Sequence, residues 1–309
     1  MPSYASKLSP LLTDRGRAVL AQHTGEQLEA SPVLTIVKPT LTLGVSVSGA
    51  HCSLQCKHCC GHFLKAMTPI STLEKNTVNG YSSLLISGGC QLDGTVPLAG
   101  HKAKLLQLGN IMPLNFHVGL QRQGKLDFID TETSVISLDL IGDDSTIKEV
   151  MGLKATWSDY KKTYQSLRSA FQVIPHLILG LHCGNFVGED TVLQLLQNEP
   201  PAALVLLVLR PTPQTPFADV APPPLAEVVS FIKRCVQTLP CPVHLGCMRP
   251  SGTYRQDLDV LALASGIRSI VMPHKNVRSA AKIFNIEVQS FSECCAFLPF
   301  QASQGLSHG

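Results

Sequence analysis

Short runs of apolar residues alternate along this chain with stretches in which apolar positions follow a helical period. Amphipathic segments of the second kind lie, for example, at residues 191–198, 225–238 and 257–264. Strands that alternate with helices predict an α/β fold with a parallel sheet, and eight such units predict a (βα)8 barrel of the TIM type. The eight strand candidates have the apolar character of strands buried on both faces and lie at residues 41–47, 83–87, 115–118, 135–140, 173–179, 203–209, 243–246 and 269–272.

The two ends of the chain depart from this alternating pattern. Residues 1–35 are polar and helix-prone, which predicts a short helical extension before the barrel. The barrel is expected over residues 36–285, and residues 286–309 are expected to form a C-terminal tail. The Pro-rich segment at residues 210–224 is short, so we interpret it as a loop between a strand and a helix rather than as a domain linker.

Composition narrows the class of protein. Hydrophobic residues make up 44% of the chain and charged residues 15%, which indicates a large buried core and argues against disorder. The net charge of +3 is too small to indicate nucleic acid or a membrane surface as a partner. No apolar run reaches the ~18–20 residues of a membrane helix, and the N-terminus lacks the apolar core of a signal peptide. We therefore expect a cytoplasmic protein.

The chain has 11 cysteines, which is a high count for its length. A reducing cytoplasm does not support a disulfide framework, so binding of a metal or an iron–sulfur cluster is the first alternative. Free cysteine is also a frequently buried side chain, and about half of these residues, Cys235 for example, are expected to be ordinary core residues.

Three cysteines follow the first predicted strand with a regular spacing. The segment SGAHCSLQCKHCCGHFLKAM, residues 48–67, places Cys52, Cys56 and Cys59 in the pattern C-x3-C-x2-C. Three thiolates on one short loop can bind three corners of a [4Fe–4S] cluster and leave the fourth iron open. Cys60 offers an alternative to Cys59 as the third ligand.

A zinc site is the alternative to a cluster on this segment. Structural zinc usually takes four protein ligands in paired CxxC units, whereas only three cysteines here have the regular spacing. The side chains that would have to complete a zinc shell are His51, His58 and Cys60.

The segment resembles the signature of the radical S-adenosylmethionine (SAM) superfamily, C-x3-C-x-φ-C. The resemblance implies that SAM binds the open iron and is cleaved to a 5′-deoxyadenosyl radical. His58 stands at the φ position, where the family usually has an aromatic residue that touches the adenine. The resemblance also implies SAM contacts at the ends of later strands, from Ser87, Gly88, Gly89, Ser137, Asp139 and Ile178. Arg249 is a further candidate for cofactor binding, either to the SAM carboxylate or to a cluster sulfide.

Two of these motifs depart from the family pattern. Ser87-Gly88-Gly89 resembles the GGE-like motif that holds the SAM amino group, but Cys90 stands where the acidic residue is usual. Residues 173–184, VIPHLILGLHCG, resemble the GxIxGxxE element beside the adenine, but the final Glu is not evident. Backbone carbonyls would have to replace the missing acidic group at Cys90.

A narrower resemblance concerns the reaction. Residues 244–274 are similar to the strand-seven to strand-eight region of the biotin synthase group. CSLQCKHCCGHFLKAM and GCMRPSGTYR, residues 52–67 and 246–255, resemble the radical SAM proteins of the two-component lipoyl synthase. This resemblance implies sulfur insertion into an octanoyl chain on a lipoyl-carrier protein or another acylated protein. A second radical SAM subunit and an electron donor such as ferredoxin or flavodoxin are the other partners it implies.

Sulfur insertion requires a sulfur donor next to the substrate carbon. In lipoyl and biotin synthases the donor is an auxiliary iron–sulfur cluster, and here Cys247, Cys294 and Cys295 are the expected ligands. Two other functions stay open: a radical SAM enzyme of another class, such as a biotin synthase-like enzyme, a methyltransferase or a cofactor-maturation protein, and a non-catalytic scaffold subunit that binds an iron–sulfur cluster or zinc. The presence of Cys90 where the family usually has an acidic residue favours the interpretation as a scaffold subunit. The residues identify no catalytic side chain.

Overall fold

A computed structural model describes residues 4–22, 32–121 and 126–303. Within these ranges all strand pairs are parallel and form one curled sheet, in the order β11-β1-β10-β9-β8-β7-β6-β5-β4-β2-β3. The strands are β1 (Val33–Val37), β2 (Thr42–Ser46), β3 (Thr68–Pro69), β4 (Ser83–Ser87), β5 (Leu114–His117), β6 (Ser134–Asp139), β7 (Val173–Leu179), β8 (Leu204–Val208), β9 (Val243–Leu245), β10 (Ser269–Val271) and β11 (Glu287–Phe291).

Helices connect most of the successive strands, as parallel pairing requires. The α-helices are α1 (Tyr4–Leu8), α2 (Asp14–Gln22), α3 (Lys102–Gly109), α4 (Asp144–Glu149), α5 (Trp157–Arg168), α6 (Glu189–Asn198), α7 (Leu225–Thr238), α8 (Thr253–Ala264), α9 (Asn276–Ile283) and α10 (Leu298–Ser303). Short 3-10 turns lie at Ser9–Leu11, His62–Ala66, Ile70–Thr72, Lys75–Val78, Leu98–His101 and Cys295–Phe297. None of the helices described is long and apolar enough to cross a membrane.

The alternating pattern predicted the strands well but undercounted them. Each of the eight predicted strands is present with its ends within one residue of the prediction. The sheet nevertheless has 11 strands, so the predicted (βα)8 count is not what the structure has. The additional strands are β1, β3 and β11. The predicted boundary between residues 35 and 36 therefore falls inside β1, and β11 lies in the segment that was predicted to be a tail.

The two sides of the sheet pack against different partners. In β8, Leu204, Leu206 and Val208 belong to the core that the sheet shares with the helices. The alternate residues Val205 and Leu207 belong to a second core on the inner face of the curl. This division follows from the two-residue side-chain period of a strand.

The C-terminal segment fills part of the inside of the curl. Cys295, Phe297 and Phe300 are buried in the inner core together with residues of β1, β6, β7, β8, β10 and β11. The two edges of the curl meet near this segment, where Leu41 N–H donates to the Ser292 carbonyl at 2.8 Å. The residues that follow β11 are therefore carried into the interior of the barrel-like sheet.

Candidate metal centre and cofactor site

The carboxyl ends of the parallel strands meet at one edge of the sheet, and most of the predicted site residues lie there. The cysteine segment follows β2, and Gly88, Gly89 and Cys90 follow β4. Asp139 ends β6, and Cys247 follows β9 by two residues. This edge is where barrels of parallel strands place their chemistry.

The thiols of Cys56 and Cys59 contact each other. Cys52 and Cys56 are buried, and Cys59 is half-buried. The Cys56 thiol donates a hydrogen bond to Cys59, which is the main reason that the pKa of Cys59 falls to about 4. The same contact raises the pKa of Cys56 far above its usual value. Two adjacent thiols cannot both ionise without a cation beside them, and a bound iron–sulfur cluster would supply that charge.

Cys60 and Cys90 lie next to these thiols in different arrangements. Cys60 has a positive φ of 44° and its thiol donates to the Cys56 carbonyl at 3.5 Å. The Cys90 carbonyl accepts a hydrogen bond from Ser53 N–H at 3.0 Å, and burial first and the Cys52 thiol second raise the pKa of Cys90 to about 12. The choice of Cys59 over Cys60 stays a prediction, and the contact of the Cys59 thiol with Cys56 favours it.

The zinc alternative stays open in the geometry. Over residues 4–22, 32–121 and 126–303, no three side chains of His, Cys, Asp or Glu are arranged to hold a metal ion, and this holds for the three cysteines of the segment as well. His51 is exposed and its ring hydrogen-bonds Ser53 Oγ at 3.1 Å. Three buried or half-buried thiols on one loop suit a cluster with three thiolate ligands better than one tetrahedral ion.

His58 is buried beside Cys59, where it further lowers the pKa of that thiol. Its Nδ1 atom is buried without a hydrogen-bond partner. Contact of this ring with the adenine of SAM stays a prediction. Ile178, predicted for the same adenine, is half-buried on β7 and lines a recess with Asp143 and His182.

The two glycines after β4 allow the cysteine segment to approach the sheet. A Cβ atom on Gly89 would lie 2.0 Å from the carbonyl oxygen of His51 and 2.5 Å from Cα of Cys52. A Cβ atom on Gly88 would lie 2.7 Å from Val47 Cγ2. Protein atoms therefore give a sufficient reason for these two glycines, and the approach of the SAM amino group to their backbone stays a prediction. Ser87 is half-buried and its carbonyl accepts from Val47 N–H at 2.8 Å.

Asp139 forms an ion pair with His117 on the inner face of the sheet, with 3.4 Å between Oδ1 and Nε2. Burial is the largest single effect and would raise the pKa of Asp139, but the charge and hydrogen bond of His117 and the charges of His176 and His58 together lower that pKa to about 2. Burial would lower the pKa of His117, and Asp139 reverses the direction. The ring of His176 lies 5.4 Å from that of His117, and burial lowers the pKa of His176 to about 4. The inner face of the sheet thus holds an ionised carboxylate at Asp139.

Ser137 does not have a free hydroxyl. Its Oγ donates to Oδ1 of Asn115 at 2.9 Å, and Nδ2 of Asn115 donates to the Cys294 sulfur at 3.5 Å. Ser137 and Asn115 are each 1% exposed. Contact of Ser137 with the SAM ribose stays a prediction, and the bond to Asn115 argues against it because the hydroxyl proton is already used inside the protein.

Arg249 is also occupied by the protein. Its guanidinium forms two hydrogen bonds with Asp259, at 2.7 and 2.9 Å, and both side chains are fully buried. It also donates to the carbonyls of Gly246 and Met272. Binding of the cofactor by Arg249 stays a prediction, and these bonds argue against it because they leave the guanidinium facing protein. The pair instead ties the end of β9 to α8.

The three cysteines predicted for an auxiliary cluster differ in exposure, since Cys295 is buried, Cys294 is half-buried and Cys247 is exposed. The Cys295 thiol donates to Cys294, which lowers the pKa of Cys294 to about 7. Desolvation by the surrounding protein and then the charge of Cys294 raise the pKa of Cys247. Ligation of a cluster by this set stays a prediction.

Comparison with solved structures finds chains of similar fold. No protein-family model matches the chain, and no curated protein sequence matches it. Methylornithine synthase (PylB) superposes with a TM-score of 0.50 at 11% identity, over 92% of this chain and 93% of the other. A phosphonopyruvate hydrolase complexed with oxalate and Mg²⁺ gives a TM-score of 0.34 at 13% identity, over 92% and 84% of the two chains, which is too low to compare folds. At this identity the first likeness shows a shared α/β fold.

Sequence reasoning missed the polar wall made by Asn115, His117 and His176. A signal was present, because each of these residues interrupts an apolar run at a position of the inner-face period, as in LNFH and VIPHLIL. Glu189 was also missed. It is buried at the start of α6 and accepts hydrogen bonds from the backbone N–H groups of Gly180, Val187 and Gly188. Only the tertiary structure identifies Glu189, because no spacing in the sequence connects this residue with the end of β7.

Proposed function

We propose that this protein is a radical SAM iron–sulfur enzyme in which Cys52, Cys56 and Cys59 bind a [4Fe–4S] cluster. The observation that carries the proposal is the contact between the Cys56 and Cys59 thiols in a segment packed against the carboxyl edge of a parallel sheet. The shared fold supports it, because methylornithine synthase is a radical SAM enzyme. The spacing C-x3-C-x2-C is the third line of support.

The residues of the chain have distinct tasks under this proposal. With SAM bound, the cluster would supply an electron for the cleavage that yields a 5′-deoxyadenosyl radical. Cys52, Cys56 and Cys59 hold the cluster and leave one iron for SAM. Asp139, kept ionised by His117, offers a hydrogen-bond acceptor for hydroxyl groups at the mouth of the curl. Gly89 keeps the cysteine segment against β4.

We further propose sulfur insertion into a protein-bound octanoyl chain as the reaction. Its support is that Cys294 affects the pKa values of both Cys247 and Cys295, so that these three thiols lie in one region and would bind a second, sulfur-donating cluster. The partners would be the acylated carrier protein, an electron donor and a second radical SAM subunit.

One observation favours another radical SAM reaction. The inner face of the sheet is polar at His117, Asp139 and His176, whereas an octanoyl chain favours apolar surroundings. A radical SAM enzyme with a polar substrate is therefore the second candidate. The two candidates differ in product, since only sulfur insertion adds sulfur to an octanoylated carrier protein, a change that mass spectrometry detects.

Single Cys→Ala variants of Cys52, Cys56 and Cys59 test the radical cluster. After anaerobic reconstitution, each variant should lose iron, visible cluster absorbance and formation of 5′-deoxyadenosine. Cys241→Ala is the matched control, because Cys241 is also half-buried and lies outside the segment. Wild-type protein that binds zinc and no iron would contradict the proposal. Iron without SAM cleavage would leave the scaffold interpretation.

Iron content tests the second cluster. Two cubane clusters hold about eight irons per chain, and the radical cluster alone holds about four. The triple variant Cys247→Ala, Cys294→Ala and Cys295→Ala should retain SAM cleavage and lose about half of the iron. Wild-type protein with about four irons would remove the basis for sulfur insertion and leave the second candidate.

A further inference from the structure

Cys294 is held by hydrogen bonds from two strands of the curl. Its backbone N–H donates to Thr42 Oγ1 on β2 at 2.8 Å, and that hydroxyl lies 2.8 Å from Ser83 Oγ. Its sulfur accepts from Asn115 Nδ2 on β5 at 3.5 Å. Both the backbone and the thiol of Cys294 therefore have defined positions inside the sheet.

The orientation of the Asn115 carboxamide follows from its second partner. Ser137 Oγ donates to Oδ1 of Asn115 at 2.9 Å, from the neighbouring strand β6. His117 and Ser137 are register partners of β5 and β6. Asn115 precedes His117 by two residues and therefore lies on the same inner face of the sheet. Because the hydroxyl occupies Oδ1, the amide nitrogen is the end that faces the sulfur.

A buried Asn on an apolar strand is costly unless its groups are hydrogen-bonded. Asn115 is 1% exposed, and Leu114 and Phe116 on either side of it belong to the apolar core. An N–H donor aimed at a cysteine sulfur stabilises the thiolate, which is the form that binds a metal. The geometry suits a group that orients a ligand sulfur.

We propose that Asn115 and Ser137 are positioning residues for a second iron–sulfur cluster: Ser137 orients Asn115, and Asn115 donates a hydrogen bond to Cys294 as a cluster ligand. The inference rests on the proposed function, because it requires that Cys294 bind a cluster. Residues that hydrogen-bond a metal ligand commonly contribute 10–100-fold to metal affinity. Hydrogen bonds to ligand sulfurs also set the reduction potential of a cluster.

The test uses the full chain with Cys52, Cys56 and Cys59 replaced by Ala, so that only the second cluster is measured. Asn115→Leu and Asn115→Asp remove the donor, and Ser137→Ala removes the group that orients it. Ser134→Ala is the matched control, because Ser134 is on the same strand, is also 1% exposed and lies on the opposite face. Iron and sulfide titration gives the affinity, and redox titration gives the midpoint potential.

Both Asn115 variants should lower iron affinity about 10–100-fold, and Ser137→Ala should lower it by a smaller factor. The midpoint potential should become more negative in all three variants, because a hydrogen bond to sulfur stabilises the reduced cluster. A purely structural Asn115 would lower the melting temperature of the metal-free chain and leave the potential unchanged. Asn115→Asp and Ser137→Ala keep the test informative if Asn115→Leu does not fold.

Two negative outcomes are distinguishable. If the starting chain without Cys52, Cys56 and Cys59 binds no iron, the second cluster and this inference are both wrong, while the radical cluster is judged by its own variants. If that chain binds a cluster and the Asn115 variants retain its affinity and potential, only the positioning role is overturned.

Discussion

The Cα atom of Cys52 lies 2.5 Å from the position that a Cβ atom on Gly89 would take. Cys52, proposed as a cluster ligand, and the end of β4 thus meet through backbone, with the hydroxyl of Ser48 accepting from Gly89 N–H at 2.6 Å. The glycine determines how deeply the cysteine segment can sit at the edge of the sheet. Its conformation is not the reason, since its φ is not in the left-handed region.

Gly89→Ala should displace the cysteine segment and lower the amount of iron bound after reconstitution. The inserted methyl group has no space, and overpacking of this kind commonly costs about 1–3 kcal/mol of unfolding free energy. Gly100→Ala is the control, because nothing lies within 4 Å of a Cβ atom at that position. Equal iron content in the two variants would contradict the role assigned to Gly89.

Arg249→Met should destabilise the protein by about 3–5 kcal/mol in urea unfolding, because it leaves Asp259 as an unpaired buried charge. The double variant Arg249→Met/Asp259→Leu should recover part of this loss. Arg234→Ala breaks an ion pair with Asp190 of 2.6 Å whose side chains are 48% and 64% exposed. That control should cost only ~0–1 kcal/mol. If Arg249→Met had a small effect on stability and a large effect on SAM affinity, Arg249 would be a cofactor-binding residue instead.

Asp139→Asn should lower the pKa of His117, since burial then acts without the opposing carboxylate. NMR titration of the His117 ring measures the change, and Asp14→Asn at a 98% exposed side chain is the control. The folded-state pKa of Asp139 is about 2, below its usual 3.8, so its stabilisation is present above about pH 3.8 and is lost as the pH falls toward 2.

The His117 contribution has the opposite sign. Its folded-state pKa is above the usual 6.5, so its stabilisation is present below that value and is lost as the pH rises through the folded-state pKa. Relative to Asp139→Asn, the wild-type chain should therefore lose stability as the pH falls below about 3.8, and again as it rises through the folded-state pKa of His117. An identical pH dependence of urea unfolding in the two proteins would refute the pairing.

Phe297→Ala should weaken both the fold and the second cluster. Phe297 is 1% exposed in the inner core, and such a truncation commonly costs about 3–5 kcal/mol. Because Cys294 and Cys295 precede it directly, iron in the second cluster should fall as well. Phe63→Ala removes a ring that is 41% exposed and should leave the melting temperature nearly unchanged. A stable Phe297→Ala variant would argue against the packing of this segment inside the sheet.

The apolar alternation was sufficient to predict a parallel α/β sheet and its eight apolar strands. Strands buried on both faces must be apolar throughout, and β8, with five buried residues out of five, is the clearest case. β11 has the sequence EVQSF and only one buried residue, so its membership of the sheet rests on backbone pairing with β1. The alternation of apolar and polar segments along the chain does not indicate which strands pair.

The sequence by itself also singled out the three-cysteine segment, because side chains on one short loop are brought close together by local chain geometry. It did not determine which polar groups are already used within the protein. Ser137 and Arg249 look like free donors in the sequence, yet Asn115, 22 positions before Ser137, and Asp259, ten positions after Arg249, bind them. Only the tertiary structure decides such partners, because curling of the sheet brings together side chains from strands and helices that are distant along the chain.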